Sequence, residues 1–410
     1  MERNTKSRFF HLQVIAYKGY MKVLKVAAKI IPMPKPTLFT GAGSSLELCD
    51  AMAQMGMKRV LIVTDTVLVK LGLLDAIQTS LSDNHVEYVI YDGVLPDPTY
   101  AQVESGLALY KRHNCDAILA VGGGSPIDAA KVIAARVNNR REIKKLTGLF
   151  RVWKAPAPLF AIPTTAGTGS EVTIAAVVSD PVTHKKTPLI DPKLVPMMAS
   201  LDASLMTGLP AHVTSATGMD ALTHAVEAFI SMNASPDTDA YAIAATRLIM
   251  QNLSKVVLDG SDLKARHNMA MASYYAGLAF TKASLGYVHA ISHNLGAKYG
   301  TPHGLANAIV LPYVLNYSKA EILPRLAELS RACGFGADGD TDEALAQGFI
   351  EHIQGMLKEY GIASQLDSLK LEDVPELAKA ALSEAHFNYP VPKYMNQDQC
   401  ESLIKQMLVA

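Results

Sequence analysis

Near Pro210 the chain changes its pattern, and that change limits the possible architecture more than any other feature. Before it, short apolar runs rich in Val, Ile and Leu at 59–64, 86–91, 117–121 and 158–162 alternate with helical patterns over 44–56, 68–82, 100–113 and 126–137. Runs of that length with little polar alternation are strands buried on both faces. Alternating them with helices builds a parallel, Rossmann-like sheet. After Gly208-Leu209-Pro210 come long segments rich in Ala, Leu and Met with few strand signals, which predicts an all-helical second half. A chain of 410 residues is too long for one core. The expected division is a basic N-terminal extension at 1–36, an α/β domain at 37–209 and a helical domain at 210–410.

Two loops in the first half are suited to a nucleotide. The strand at 117–121 runs into Gly122-Gly-Gly-Ser-Pro-Ile-Asp-Ala-Ala-Lys131. The glycines, Gly123 and Gly124 among them, permit a tight turn and close backbone approach. Ser125 is placed to cap the next helix, Pro126 suits its first position, and Asp128 would complete a capping box. The free N–H groups of such a helix start suit a pyrophosphate. The second loop, Pro163-Thr-Thr-Ala-Gly-Thr-Gly-Ser-Glu171, follows the strand at 158–162 and offers the hydroxyls of Thr164, Thr165 and Thr168. Two such loops at the carboxyl ends of parallel strands define a nucleotide crevice. Neither loop is a Gly-x-Gly-x-x-Gly or Walker motif. Asp65, just past the strand at 59–64, stands where an acid would bind ribose hydroxyls and repel a 2′-phosphate; otherwise it is a strand-end turn residue.

In the second half, Asp220-x-x-x-His224, His289-x-x-x-His293 and His303 stand in segments with almost no other charge. Residues four apart share a helix face, so each pair can aim two donor groups at one point. Buried His and Asp need partners, and a divalent metal satisfies them. Three imidazoles and one carboxylate leave a coordination position open, which is the pattern of a catalytic site. Spacing alone lets either His289 or His293 bind. The remaining histidines have no such spacing; His267 reads as a core or interface residue and the others as surface or capping groups.

Charge and cysteine content exclude other classes. With 38 basic and 38 acidic residues, the chain has no global field to attract nucleic acid. Cys49, Cys115, Cys333 and Cys400 are far apart, which argues against a zinc ribbon or disulfide framework and for the reducing cytoplasm. No apolar run is long enough for a transmembrane helix. The first 35 residues carry eight Lys or Arg against the single acid Glu2. There, Lys18, Lys22, Lys25 and Lys29 form a helical stripe opposite Val23, Leu24, Val26, Ala27, Ile30 and Ile31. The expectation is a terminal helix packed on the body with a solvated Lys face; an interfacial helix is the alternative.

Taken together, the 122–131 and 163–171 loops, Thr217-Gly-Met-Asp-Ala-Leu-Thr-His-Ala-Val-Glu227 and the stretch from His289 to His303 closely resemble the iron-containing (group III) alcohol dehydrogenases, in order from about residue 37 onward. The resemblance implies a dehydroquinate synthase-like arrangement in which a Rossmann-like domain and an all-α domain hold NAD and iron in a cleft. It places the metal ligands on Asp220, His224, His289 and His303. Cofactor contacts fall on Asp65, Gly123, Gly124, Ser125, Thr164, Thr165, Thr168 and Lys186. Where the family often has Pro-Asn-Pro, this chain has Pro96-Asp97-Pro98, a second acid expected near the cofactor. The implied reaction is hydride transfer between an alcohol or diol and NAD, with Fe(II), Zn(II) or another divalent metal polarising the substrate oxygen. His293 is the expected proton relay, because imidazoles titrate near neutral pH. A homodimer is also implied. Same-fold rivals are glycerol dehydrogenases, maleylacetate reductases and dehydroquinate-synthase-like enzymes. A metal-dependent hydrolase would leave both loops unexplained, and a structural zinc site would need a saturated shell.

Overall fold

A computed structural model describes residues 2–30, 33–180, 186–337 and 339–409, apart from the side chains of 2–9, 24 and 26–30. The described chain forms two compact units, Pro32–Thr214 with Leu258–Gly277, and Met1–Ile31 with Ser215–Val257 and Leu278–Ala410.

The described residues of the first unit form nine strands: β1 Thr37–Thr40, β2 Arg59–Val63, β3 Glu87–Tyr91, β4 Ala117–Gly122, β5 Gly148–Leu149, β6 Leu159–Pro163, β7 Ala175–Ser179, β8 Lys186–Ile190 and β9 Met198–Leu201. Six form a sheet in the order β1-β9-β6-β4-β2-β3, with every pairing parallel. The strands expected from the apolar runs are β2, β3, β4 and β6, each within a residue or so of its expected bounds. Alternation within them explains why the runs look continuous. Leu61, Val63, Ile118 and Ala120 enter one buried cluster, while Val60, Ile62, Ala117, Leu119 and Val121 enter another on the opposite face. The edge strand β1, its inner neighbour β9, and the small sheet of β5, β8 and β7, were not expected.

The chain leaves β2 outward to β3 and returns to place β4 on the other side of β2. The strand order reverses there, and a parallel α/β sheet binds its ligand beside such a reversal, at the carboxyl ends of the strands. Val63 pairs with Ala120, and Gly122 with Pro163, so Asp65, the glycine loop and the threonine loop all leave the sheet at that edge. The helix expected over 68–82 is two helices, Thr66–Lys70 and Asp75–Asp83, interrupted at Gly72, whose φ is +70°.

The second unit is helical as expected, with Pro236–Leu258, Tyr287–Tyr299, His303–Ala332, Asp342–Glu359 and Val374–Asn388 among its elements. Among the described residues no helix is long and apolar enough to cross a membrane. The N-terminal helix Glu2–Ile30 packs here. Met21 is buried, and Tyr17 lies against His386 and Tyr394 with ring centroids 4.9 and 5.5 Å away. Its polarity differs from the expected stripe. Lys25 is not solvated: its Nζ donates to the carbonyls of Met232 at 2.7 Å and Ala234 at 3.1 Å. Val23, expected on the packed face, is 67% exposed. His386, expected at the surface, is buried with Nε2 3.0 Å from the Tyr287 hydroxyl and 3.1 Å from the Met395 carbonyl.

Candidate metal centre and cofactor loops

β4 ends in Gly122 at φ +152°, where a Cβ would lie 2.6 Å from Pro126 Cγ. Glycine therefore suits this exit from strand to helix. Gly123 is the N-cap of the helix Gly124–Asn138, and no side chain caps it. The expected capping box does not form. Ser125 lies inside the first turn, and Asp128 is engaged elsewhere, accepting from Ser170 Oγ at 2.6 Å and Val177 N at 2.9 Å. The helix start thus keeps its backbone donors for an anion. A Cβ on Gly123 would sit 3.3 Å from Thr165 Oγ1, and one on Gly124 would sit 2.7 Å from Thr168 Cγ2. These two glycines let the loops abut.

Behind the threonine loop lies a fully buried ammonium. Lys131 Nζ donates to the Thr173 carbonyl at 2.8 Å, Thr173 Oγ1 at 3.0 Å and the Ala175 carbonyl at 2.7 Å. Burial pushes Lys131 down to about 8 and the nearby Glu171 up to about 7. Thr164 is buried, while Thr165 and Thr168 are partly open.

The three remaining cofactor candidates have protein partners. Asp65 caps the helix Thr66–Lys70, its Oδ1 accepting from Val67 N at 2.9 Å and Leu68 N at 3.0 Å. Asp97, at φ +56°, pairs with Lys186, Nζ to Oδ1 2.7 Å. The extra acid at Pro96-Asp97-Pro98 is therefore neutralised by the very lysine expected to touch the cofactor.

The second unit collects the other candidates. Asp220 and His224, together with Glu227, share a face of the helix Ala211–Ile230. His289 lies in the first turn of Tyr287–Tyr299, and His303 begins His303–Ala332. Gly304 lets that last helix come close: a Cβ there would be 2.5 Å from the Ala216 carbonyl oxygen. Asp220, His224, His289 and His303 each bring a ligand atom within 4.8 Å of all the others. Asp220 Oδ1 is 3.5 Å from His303 Nε2 and 3.9 Å from His289 Nε2. Asn307 Nδ2 lies 2.7 Å from Asp220 Oδ1, 3.1 Å from His289 Nε2 and 3.2 Å from His303 Nε2. One amide has two hydrogens for these three acceptors. The surplus of converging lone pairs is what a divalent cation fits.

His289 is oriented by a residue to which sequence reading gave no role. Glu227 Oε2 lies 2.6 Å from His289 Nδ1 and accepts from Gly286 N at 3.0 Å, while Oε1 accepts from Val288 N at 2.7 Å. It caps the His289 helix and holds Nδ1 as the donor, leaving the Nε2 lone pair toward the cluster. Burial pushes Glu227 up to about 8. Burial, and then the neighbouring imidazoles, hold His289 well below the usual imidazole range. His224 is stacked between Phe280 and His289, at 4.4 and 4.6 Å. His293 is outside the four-residue group; its Nδ1 lies 2.7 Å from Glu384 Oε1, and its ring stacks on His303 at 5.1 Å.

Two family models cover almost the whole chain: "Iron-containing alcohol dehydrogenase" matches residues 35–203, and "Fe-containing alcohol dehydrogenase family, C-terminal" matches 214–408. The chain belongs to the iron-containing alcohol dehydrogenases. It is an oxidoreductase of that family, whose members use NAD and iron or another divalent metal. It is 39% identical to an NAD-dependent methanol dehydrogenase of Bacillus methanolicus over 351 residues, 85% of this chain and 92% of the relative. It is 40% identical to a 1,3-propanediol dehydrogenase of Citrobacter freundii over 356 residues, 86% and 92% of the two chains. The crystal structure of a 1,3-propanediol oxidoreductase is similar with a TM-score of 0.89 at 37% identity, covering 92% of this chain and all (100%) of that one.

Proposed function

We propose that the chain interconverts a short primary alcohol or diol and its aldehyde, with NAD(H) as hydride carrier and a divalent metal held by Asp220, His224, His289 and His303. The observation that carries this reading is the convergence of Asp220 Oδ1, His289 Nε2 and His303 Nε2 on one point, with His224 in the same group. Bound there, Fe(II), or Zn(II) in its place, would supply a Lewis acid that draws charge from the substrate oxygen. The protein's part is to fix the donors. Glu227 sets the His289 tautomer, and the Phe280 ring fixes the His224 plane. His293, held by Glu384, takes up the proton that leaves the alcohol. The methanol and 1,3-propanediol dehydrogenases among its relatives support a small alcohol. Metal analysis of the anaerobically purified protein, with NADH oxidation followed over aldehydes of graded length, tests the reading. A metal-loaded protein inactive on all of them refutes it.

The cofactor is assigned to the first unit, with its pyrophosphate at the helix start of Gly123, Gly124 and Ser125 and its contacts completed by Thr164, Thr165 and Thr168. Gly124→Ala is expected to weaken NADH binding roughly tenfold, about 1.4 kcal/mol, because the new methyl displaces Thr168. Metal content should not change. Fluorescence titration of NADH reads the effect, and an unaltered affinity would remove this loop from the cofactor site.

Preference for NAD over NADP rests on Asp65, whose charge near a 2′-phosphate costs on the order of 1 kcal/mol or more. Because Asp65 also caps a helix, Asp65→Ser is the informative variant: it retains an acceptor for Val67 N and Leu68 N while removing the charge. It should narrow the NAD-to-NADP ratio of kcat/KM. Equal use of both cofactors by the unmodified chain contradicts the assignment.

A homodimer in the cytoplasm completes the proposal. The compartment is supported by four free cysteines, a usage that suits reducing surroundings. Light scattering at micromolar concentration should give twice the chain mass, and the mass of one chain would reject the dimer.

A further inference from the structure

The helix Glu2–Ile30 has two apolar faces, and its packing uses only one. Phe10, Val14, Tyr17, Met21 and Lys25 lie on the packed side, all buried or half-buried. On the other side Leu12, Ile15, Tyr20 and Val23 are 64%, 56%, 44% and 67% exposed. Between them lie Ala16 and Gly19, both exposed, and a Cβ on Gly19 would meet nothing within 4 Å. At roughly 100° per residue these six positions form one stripe facing away from Tyr17 and Met21. A helix resting on a protein body normally gives that side to polar residues. Phe387, 56% exposed, extends the patch, with its ring 6.3 Å from that of Tyr20.

Charge indicates what covers this stripe. Lys18 and Lys22, both exposed, run along one flank. From Arg3 to Ser45 the chain has no acid. The first 35 residues hold eight of the 38 Lys and Arg and one of the 38 Asp and Glu, which leaves 30 basic against 37 acidic residues in the rest. The segment is thus net positive on a remainder that is net negative, which suits it to a negatively charged surface. Flat small residues at the centre, large apolar side chains beside them and lysines whose stems can reach past the apolar layer are features of a helix lying in a lipid interface. A protein groove would instead select aromatic or Arg anchors at the middle of the face.

We propose that the outer face of this helix docks the enzyme reversibly on an anionic lipid surface, with Leu12, Ile15, Tyr20 and Val23 entering the acyl boundary and Lys18 and Lys22 meeting the headgroups. No part of the chain crosses the bilayer in this arrangement.

The test is co-sedimentation of the full chain with phosphatidylcholine vesicles with and without phosphatidylserine. Phosphatidylserine should raise the apparent affinity roughly tenfold or more, and added salt should reverse the gain. Lys18→Glu with Lys22→Glu, and separately Leu12→Gln with Val23→Gln, should each lower binding to the anionic vesicles at least roughly tenfold. NADH turnover and circular dichroism of both variants should match the unmodified chain, since all four side chains are exposed and none belongs to the proposed site. Failure to bind anionic vesicles overturns the proposal, as does equal binding to neutral ones. Light scattering supplies a further arm: if the Leu12/Val23 variant halves the mass of the particle, the stripe is a contact between copies of the chain and the lipid reading is wrong.

Discussion

His289→Ala should leave purification without metal and without measurable turnover, whereas His293→Ala should retain its metal and lose roughly 10²-fold in kcat, as expected for loss of a proton relay. The two residues are one helical turn apart, and their sequence spacing does not distinguish them. Their partners do. His289 Nδ1 faces the Glu227 carboxylate at 2.6 Å, so its Nε2 is the atom left to join Asp220, His224 and His303. His293 lies outside that group, tied by Nδ1 to Glu384 at 2.7 Å. Removing a ligand leaves an incomplete shell and generally costs metal affinity outright. Removing a relay leaves the shell intact and moves the pH profile. Metal content and pH–rate profiles of both purified variants decide the matter: metal-free His293→Ala beside metal-loaded His289→Ala would reverse the two roles.

Glu227→Gln should weaken metal binding 10- to 100-fold, the usual cost of losing the group behind a ligating imidazole. The substitution keeps the shape of the side chain but leaves one carbonyl oxygen to serve Gly286 N and Val288 N, and turns an amide NH2 toward His289 Nδ1. The imidazole then gains by carrying its proton on Nε2, the atom needed for the metal. The loss is read as metal retained against a graded chelator, with circular dichroism as the fold control. Unchanged retention would mean that Glu227 only caps the helix.

How much of this was legible in the sequence depended on the range of the interaction responsible. Asp220 with His224 follows from the helical repeat, and the glycine loop from the strand that precedes it. Glu227 was also within reach, three residues beyond His224 on the same face and, beside Asp220, the other carboxylate of an apolar helix. So was Asn307, four residues after His303. Glu384 was not, because it meets His293 from 91 residues away. The capping box failed for the same reason: it is a local rule, and Asp128 is claimed instead by Ser170 and Val177, 42 and 49 residues away. The strands β1 and β9 escaped notice because each is only four residues long and neither is a continuous run of Val, Ile and Leu. In β1 only Leu38 and Phe39 are even half-buried, and β9 carries Ser200 among its four residues.

Strands that are apolar on both faces lose a safeguard that one-sided sheets possess. A one-residue slip of β2 against β4 would exchange one set of Val, Ile and Leu for another, with little burial penalty to prevent it. Alignment must then be enforced by polar contacts at the strand ends. Asp116, just before β4, does this: its carboxylate accepts from Lys58 N at 2.8 Å and Arg59 N at 3.1 Å, and its own N–H donates to the Arg59 carbonyl at 2.8 Å. These bonds index the amino ends of the two strands, and the strands carry that index to the opposite edge. The spacing between Asp65 and Gly123 is thereby set from the far side of the sheet, by a half-buried aspartate that never meets a ligand.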